Sequence, residues 1–259
     1  MGHIRLGRLP ATRHWQQVVA LLSRDAPAER VAAASAEAAE VSLEHARRDT
    51  ALHHSFWLLT QLPLAARSPN YSDSLRSLGF AVQGTPSLLE IISAFSATVD
   101  RHVDRNGGRT DLGELAQHAA AESLASAAGS ELPSLFGPTP EDARVALGKL
   151  AAPDRFARLA RDFFARLVRR HLDYYLSREA SDHVGPGRGI GSIDAHTDFN
   201  AALEQHCREA SRIIEAFAGG WYSKTNFEGG ITPEKAGSFL FVALRKISRE
   251  LQKRRAGHG

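Results

Sequence analysis

Between residues 86 and 105 the apolar side chains Leu88, Ile91, Phe95, Val99 and Val103 recur at intervals of three and four, with Ile92 filling in beside them. That interval matches the 3.6-residue turn of an α-helix and gathers the apolar set on one face. The same period runs through 153–177 on Phe156, Leu159, Phe163, Leu167, Leu172, Tyr175 and Leu176, and through 233–254 on Leu240, Leu244, Ile247 and Leu251. Further helices are predicted near 12–24, 26–48, 50–62, 72–78, 111–128, 140–150 and 197–218. No alternation of apolar and polar residues lasts long enough for a sheet. The nearest, Ile4-Arg5-Leu6, suits only an edge-pairing arm. The expected fold is all-α, a compact multi-helix bundle of roughly eight to ten helices with little or no β-structure.

Punctuation between these segments supports the same reading. Thr85-Pro86, Thr139-Pro140 and Thr232-Pro233 each set a capping hydroxyl before a proline at the first helical position, and Asp25 and Thr110 are further candidate caps. Stops are expected at Gly79, Asn106-Gly107-Gly108, Gly129 and Gly219-Gly220, where glycine can turn left-handed. The stretch 131–139, with Pro133, Gly137 and Pro138, is the best boundary. It divides the chain into a basic arm and first helix (1–24), a helical region 25–132 and a helical region 133–259, unless the whole is one continuous domain. A segment rich in glycine (183–192) and one holding Trp221, Tyr222, Lys224 and Phe227 between glycine pairs (219–230) are expected as loops.

Composition adds constraints. The single cysteine, Cys207, excludes an internal disulfide and any Cys-based zinc cluster. The strongest apolar run, 55–66, is cut by Gln61 and Pro63 and falls short of a membrane span, and no continuous apolar segment follows Arg5, Arg8 and Arg13 to make a signal peptide. A cytoplasmic location is expected, with no membrane contact. The net charge of +3 hides a strong segregation, in which successive blocks 1–24, 25–154, 155–178, 179–234 and 235–259 carry +4, −7, +5, −5 and +6. Arginine outnumbers lysine 27 to 5. Its planar fork suits phosphate and carboxylate, although a GC-rich genome would supply the same bias.

The candidate chemistry divides by segment. The 185–191 glycines invite comparison with phosphate loops, but no strand precedes them and no Gly-Lys-Ser/Thr follows, so a connector is the simpler reading. His183, Asp194, His196, Asp198, His206 and Cys207 crowd together without the spacing of a known ligand set. They serve equally as caps and turn formers, and no metal or cofactor is expected. Nucleic-acid contact is expected from Arg155, Arg158, Arg161, Arg169 and Arg170 on the helix at 153–177, and from Lys246, Arg249, Lys253 and Arg254 on the last helix. Trp221, Tyr222 and Lys224 would add base stacking and charge. The acidic central region is a competing partner for the same arginines. Ile4, Leu6 and Leu9, set among Arg5 and Arg8, could dock another protein subunit.

Arg-x4-His occurs at Arg48/His53, Arg166/His171 and Arg178/His183. This pattern resembles the signature of HEPN ribonucleases, which are all-helical and often pair their sites across a dimer. The likeness covers six residues at a time. It implies a metal-independent ribonuclease with Arg48 and His53, or Arg166 and His171, in phosphate binding and proton transfer. Arg48-Asp49 has the polar residue that the family often places after its arginine, whereas Arg166 is followed by Leu167. No protease, kinase or α/β-hydrolase signature is present.

The reading that follows is a non-catalytic helical subunit of a bacterial multi-protein complex that touches DNA or RNA through arginine-rich helices. It extends, with no residue to carry it, to genome defence. A homo-oligomer is compatible with it. The ribonuclease and a protein-only adaptor or self-associating scaffold are the alternatives.

Overall fold

A computed structural model describes residues 13–22, 24, 26–38, 46, 48–133, 137–183 and 193–256. These form helices α1 (Arg13–Leu22), α2 (Ala28–Ala38), α3 (Thr50–Ala66), α4 (Tyr71–Ser77), α5 (Leu88–Asn106), α6 (Asp111–Gly129), α7 (Pro140–Lys149), α8 (Pro153–His183), α9 (Ile193–Ala210), α10 (Arg212–Phe227) and α11 (Pro233–Ala256), with no strand among the described residues. The all-α expectation is met.

Two starts follow the capping logic directly. Thr139 accepts a hydrogen bond from the Asp142 amide while Asp142 accepts one from the Thr139 amide, with Pro140 opening α7. Thr110 caps α6 through the Gly113 amide at 2.8 Å. The start of α5 differs. Ser87, not Thr85, is the cap, because Ser87 has Glu90 three residues on and closes a reciprocal capping box that Thr85, with Leu88 there, cannot. The Ser87 hydroxyl and amide also hold the Glu90 carboxyl below its usual range.

The chain divides into two compact units. Among the described residues, unit 1 comprises 49–133, 137–163 and 214–240; unit 2 comprises 13–22, 24, 26–38, 46, 48, 164–183, 193–213 and 241–256.

Unit 1 is organised on α3, which buries residues on nearly every side: Ala51, Leu52, Ser55, Phe56, Leu58, Leu59, Leu62 and Ala65 among them. A helix apolar all round belongs inside a bundle, and α4, α5, α6 and α7 all pack on it. The apolar run broken by Pro63 is thus a central helix, and it continues past the proline to Ala66. Asp49 ties its start to that of α6: its carboxylate accepts from the Leu52 amide at 2.8 Å and from the Thr110 hydroxyl. Unit 2 packs Trp15, Val18 and Leu22 of α1 and Val31, Ala32 and Ala34 of α2 against Leu172, Tyr175 and Leu176 of α8 and Leu203 and Cys207 of α9.

The glycine stops hold only in part. Gly79 takes φ 90° after α4, and its carbonyl accepts from Thr98 and Arg101. Gly107 caps α5 with extended backbone, φ 174°, and Gly129 is the last residue of α6 itself. Gly219-Gly220 is not a stop. α10 runs straight through it, because Gly219 lies so close to the start of α8 that a Cβ there would sit 2.6 Å from the Pro153 carbonyl oxygen. The expected single helix at 197–218 is instead two, α9 and α10, parted by a turn at Ser211.

Candidate nucleic-acid interface

The arginines of α8 are placed at helical intervals on its polar side, and most of them meet a carboxylate. Arg155 and Lys149 converge on Glu131, and these cations hold its carboxyl below the usual range. Arg158 pairs with Asp154 at 2.9 Å one turn back, Arg161 with Glu215 of α10 at 2.7 Å, and Arg169 with Asp173 at 2.9 Å and with Asn200 at 3.1 Å. Arg166 and Arg170 are half-buried and engaged as well. The acids compete successfully for this face, and Arg158 is the most solvent-exposed of the paired set. The α8 stripe expected from the sequence is therefore mostly a set of internal ion pairs.

The last helix behaves differently. Ala243, Leu244, Ile247 and Leu251 are buried, while Arg245, Lys246, Arg249 and Lys253 are exposed on the other side. Lys253 reaches Glu250 at 2.9 Å. Arg245 and Arg249 have no carboxylate within ion-pair distance among the described residues. At 1.5 Å per residue, the row Arg245, Arg249 and Lys253 is about 12 Å long. Arg245 escaped the sequence reading, although its place one turn before Arg249 and two before Lys253 was a usable signal. The Arg254 side chain, like Ile4, Arg5, Leu6, Arg8 and Leu9 and the 184–192 segment, lies outside the described residues. Cations near a helix C-terminus also offset its dipole, so stability alone favours them there.

Because α10 continues through residues 221–222, Tyr222 is buried in the core and Trp221 is half-buried with one face against Phe239. Trp221 stacks on Phe239 with centroids 4.1 Å apart. Tyr222 stacks on Phe156 at 3.8 Å, and its hydroxyl donates to the Thr60 carbonyl at 3.1 Å. Lys224 is exposed, 3.9 Å from Glu228. Phe227, at the end of α10, is 91% exposed.

The histidines fall into separate settings. His171 meets Tyr175 edge-on, its Nδ1 is closed to solvent, and burial pushes the imidazole down to about 4. It is neutral at neutral pH and poorly placed to shuttle a proton to a phosphate. Arg166 beside it is half-buried. Arg48 is exposed, and His53 is half-buried in unit 1 with its ring over Gly237 of α11. His183 ends α8, and its side chain is outside the described residues, as is that of Arg178.

A second histidine pair forms only in the folded chain. His54 of α3 and His102 of α5 stack face to face at 3.8 Å and 3°, with Trp57 5.5 Å from His54. Burial and the neighbouring His102 lower His54 to about 4, and burial lowers His102. Parallel faces direct the ring nitrogens alongside one another rather than toward a shared cation. Among the described residues no group of three or more His, Cys, Asp or Glu could hold a metal. Of the suspected cluster, Asp198 is exposed whereas His206 and Cys207 are buried, and burial raises the Cys207 thiol to about 12.

An open depression of about 300 Å³ lies between the C-terminal end of α3 and the length of α7. Its arginines serve helix carbonyls: Arg67 donates to Gly148 O at 2.7 Å, and Arg144 to Ala66 O at 3.2 Å and Ser68 O at 3.1 Å. Among the described residues no helix is long and apolar enough to cross a membrane.

No protein-family model matches the chain, and comparison with curated proteins and with solved structures finds no match in either.

Proposed function

We propose that this protein is a non-catalytic helical component of a larger assembly and that it contacts nucleic acid through the exposed cationic face of α11. The observation that carries the proposal is the row Arg245, Lys246, Arg249 and Lys253, exposed along one side of a helix whose opposite side is buried. Phosphates are the commonest polyanion that such a row complements, and arginine meets them bidentately. The proposal draws little on α8, whose arginines are committed to Glu131, Asp154, Glu215 and Asp173.

Binding rather than catalysis is favoured because His171 is neutral and sequestered and because His53 packs over Gly237. The test is fluorescence polarisation of labelled DNA and RNA over a salt series, with each sample run on a gel afterwards. Binding that weakens steeply with salt, is lost in Arg245→Ala/Arg249→Ala and leaves the nucleic acid intact supports the proposal. Shortened products that vanish in His53→Ala would replace it with the ribonuclease reading. No binding at low salt would leave a helical adaptor whose cations meet acidic proteins.

A further inference from the structure

We infer that the nucleic acid held by α11 is a duplex, gripped by its phosphate backbone with no base stacked on unit 2. This rests on the reading just given and narrows it. Proteins that hold single strands without sequence preference combine a cationic groove with aromatic side chains, and each stacked base contributes about 1–3 kcal/mol by substitution. Unit 2 offers the cations without the aromatics. Its described aromatic side chains are buried or half-buried, with Trp15 and Tyr175 stacked on each other at 4.8 Å inside the core and Tyr174 edge-on to Tyr175. The fully exposed aromatic among the described residues, Phe227, belongs to unit 1.

The row itself is straight and fixed. Arg245, Arg249 and Lys253 project from successive turns of one helix, held in place by Leu244, Ile247 and Leu251 beneath. Over the roughly 12 Å of this row a duplex presents about one charge per 1.7 Å, twice the density of either strand alone. A rigid line of cations gains most from the stiffer and denser line of anions. Duplex contact through phosphates also needs no base edges, so the binding should be indifferent to sequence.

The test compares the full-length chain on a labelled duplex and on each of its single strands at equal nucleotide length, between about 50 and 200 mM salt. If three of the four cations each neutralise a phosphate, duplex affinity should fall about 40-fold over that range, and single-strand affinity about 20-fold from a weaker start. Arg245→Ala/Arg249→Ala should cut the duplex fall to about 3–4-fold, whereas Arg76→Ala, an exposed arginine on α4, should leave it unchanged. A duplex of scrambled sequence should bind equally well. Circular dichroism would establish that the double variant is folded, as expected for exposed positions. Single strands binding as tightly as the duplex would overturn this inference and leave the proposed function standing. An unchanged salt dependence in the double variant would remove α11 from both, and absence of any binding would overturn both.

Discussion

Gly219 and Gly220 are neighbours in the middle of α10, and replacing each with alanine in turn should affect stability unequally. A Cβ at 219 would lie 2.6 Å from the Pro153 carbonyl oxygen and 3.0 Å from its carbon, whereas one at 220 would meet nothing within 4 Å. Both substitutions gain the same helix propensity, about 1 kcal/mol, so that contribution cancels between them. What remains is the cost of forcing α10 away from the first turn of α8, about 1–3 kcal/mol for overpacking of this size. Gly220→Ala should therefore raise the midpoint of urea unfolding. Gly219→Ala should fall below it by that margin, a separation of roughly 3–10 °C in Tm for a chain of this length. Far-UV circular dichroism reads both. Equal upward shifts in the two variants would refute the close approach, whereas losses in both would restore the glycine pair to its role as a helix stop.

Other consequences can be checked the same way. Asp49→Ala removes the α3 cap and the acceptor for Thr110 and should cost about 1–2 kcal/mol, with Asp49→Asn less harmful because it can still accept from the Leu52 amide. His171 is neutral in the fold with its pKa near 4, against about 6.5 unfolded, so the unfolded chain takes up the proton first on acidification. Its contribution is complete above about pH 6.5, declines as pH falls toward 4 and amounts to about 3 kcal/mol in all. His171→Gln should lessen the fall in stability between about pH 6.5 and 5, before carboxylates titrate, leaving the share of His54 and His102, which burial also lowers, and an unaltered slope would contradict the burial. Trp221→Ala should lose about 3 kcal/mol of stability yet leave the nucleic-acid affinity of the folded protein unchanged. A fall in affinity without loss of stability would instead make Trp221 a stacking surface.

The helical period and the capping residues were enough to establish an all-α chain, because helix spacing and caps are local properties written in adjacent residues. Thr139 with Asp142 and Thr110 with Gly113 behave as their sequence implies, and the apolar face of α11 is buried as its spacing requires. Tertiary structure decided what the same residues do beyond that. A glycine pair reads locally as a break, and only the nearness of Pro153 makes Gly219 a packing contact inside a helix. That continuity in turn carries Tyr222 into the core and sets Trp221, half-buried, against Phe239. Arginine spacing showed which residues share a face, but the carboxylates that occupy α8 come from as far along the chain as Glu131 and Glu215. Ion pairs of that kind depend on three-dimensional proximity and on desolvation, and neither is encoded at short range. For the same reason the exposed row on α11 became the leading surface, and His54 and His102, 48 residues apart, emerged as a stacked pair only in the folded chain.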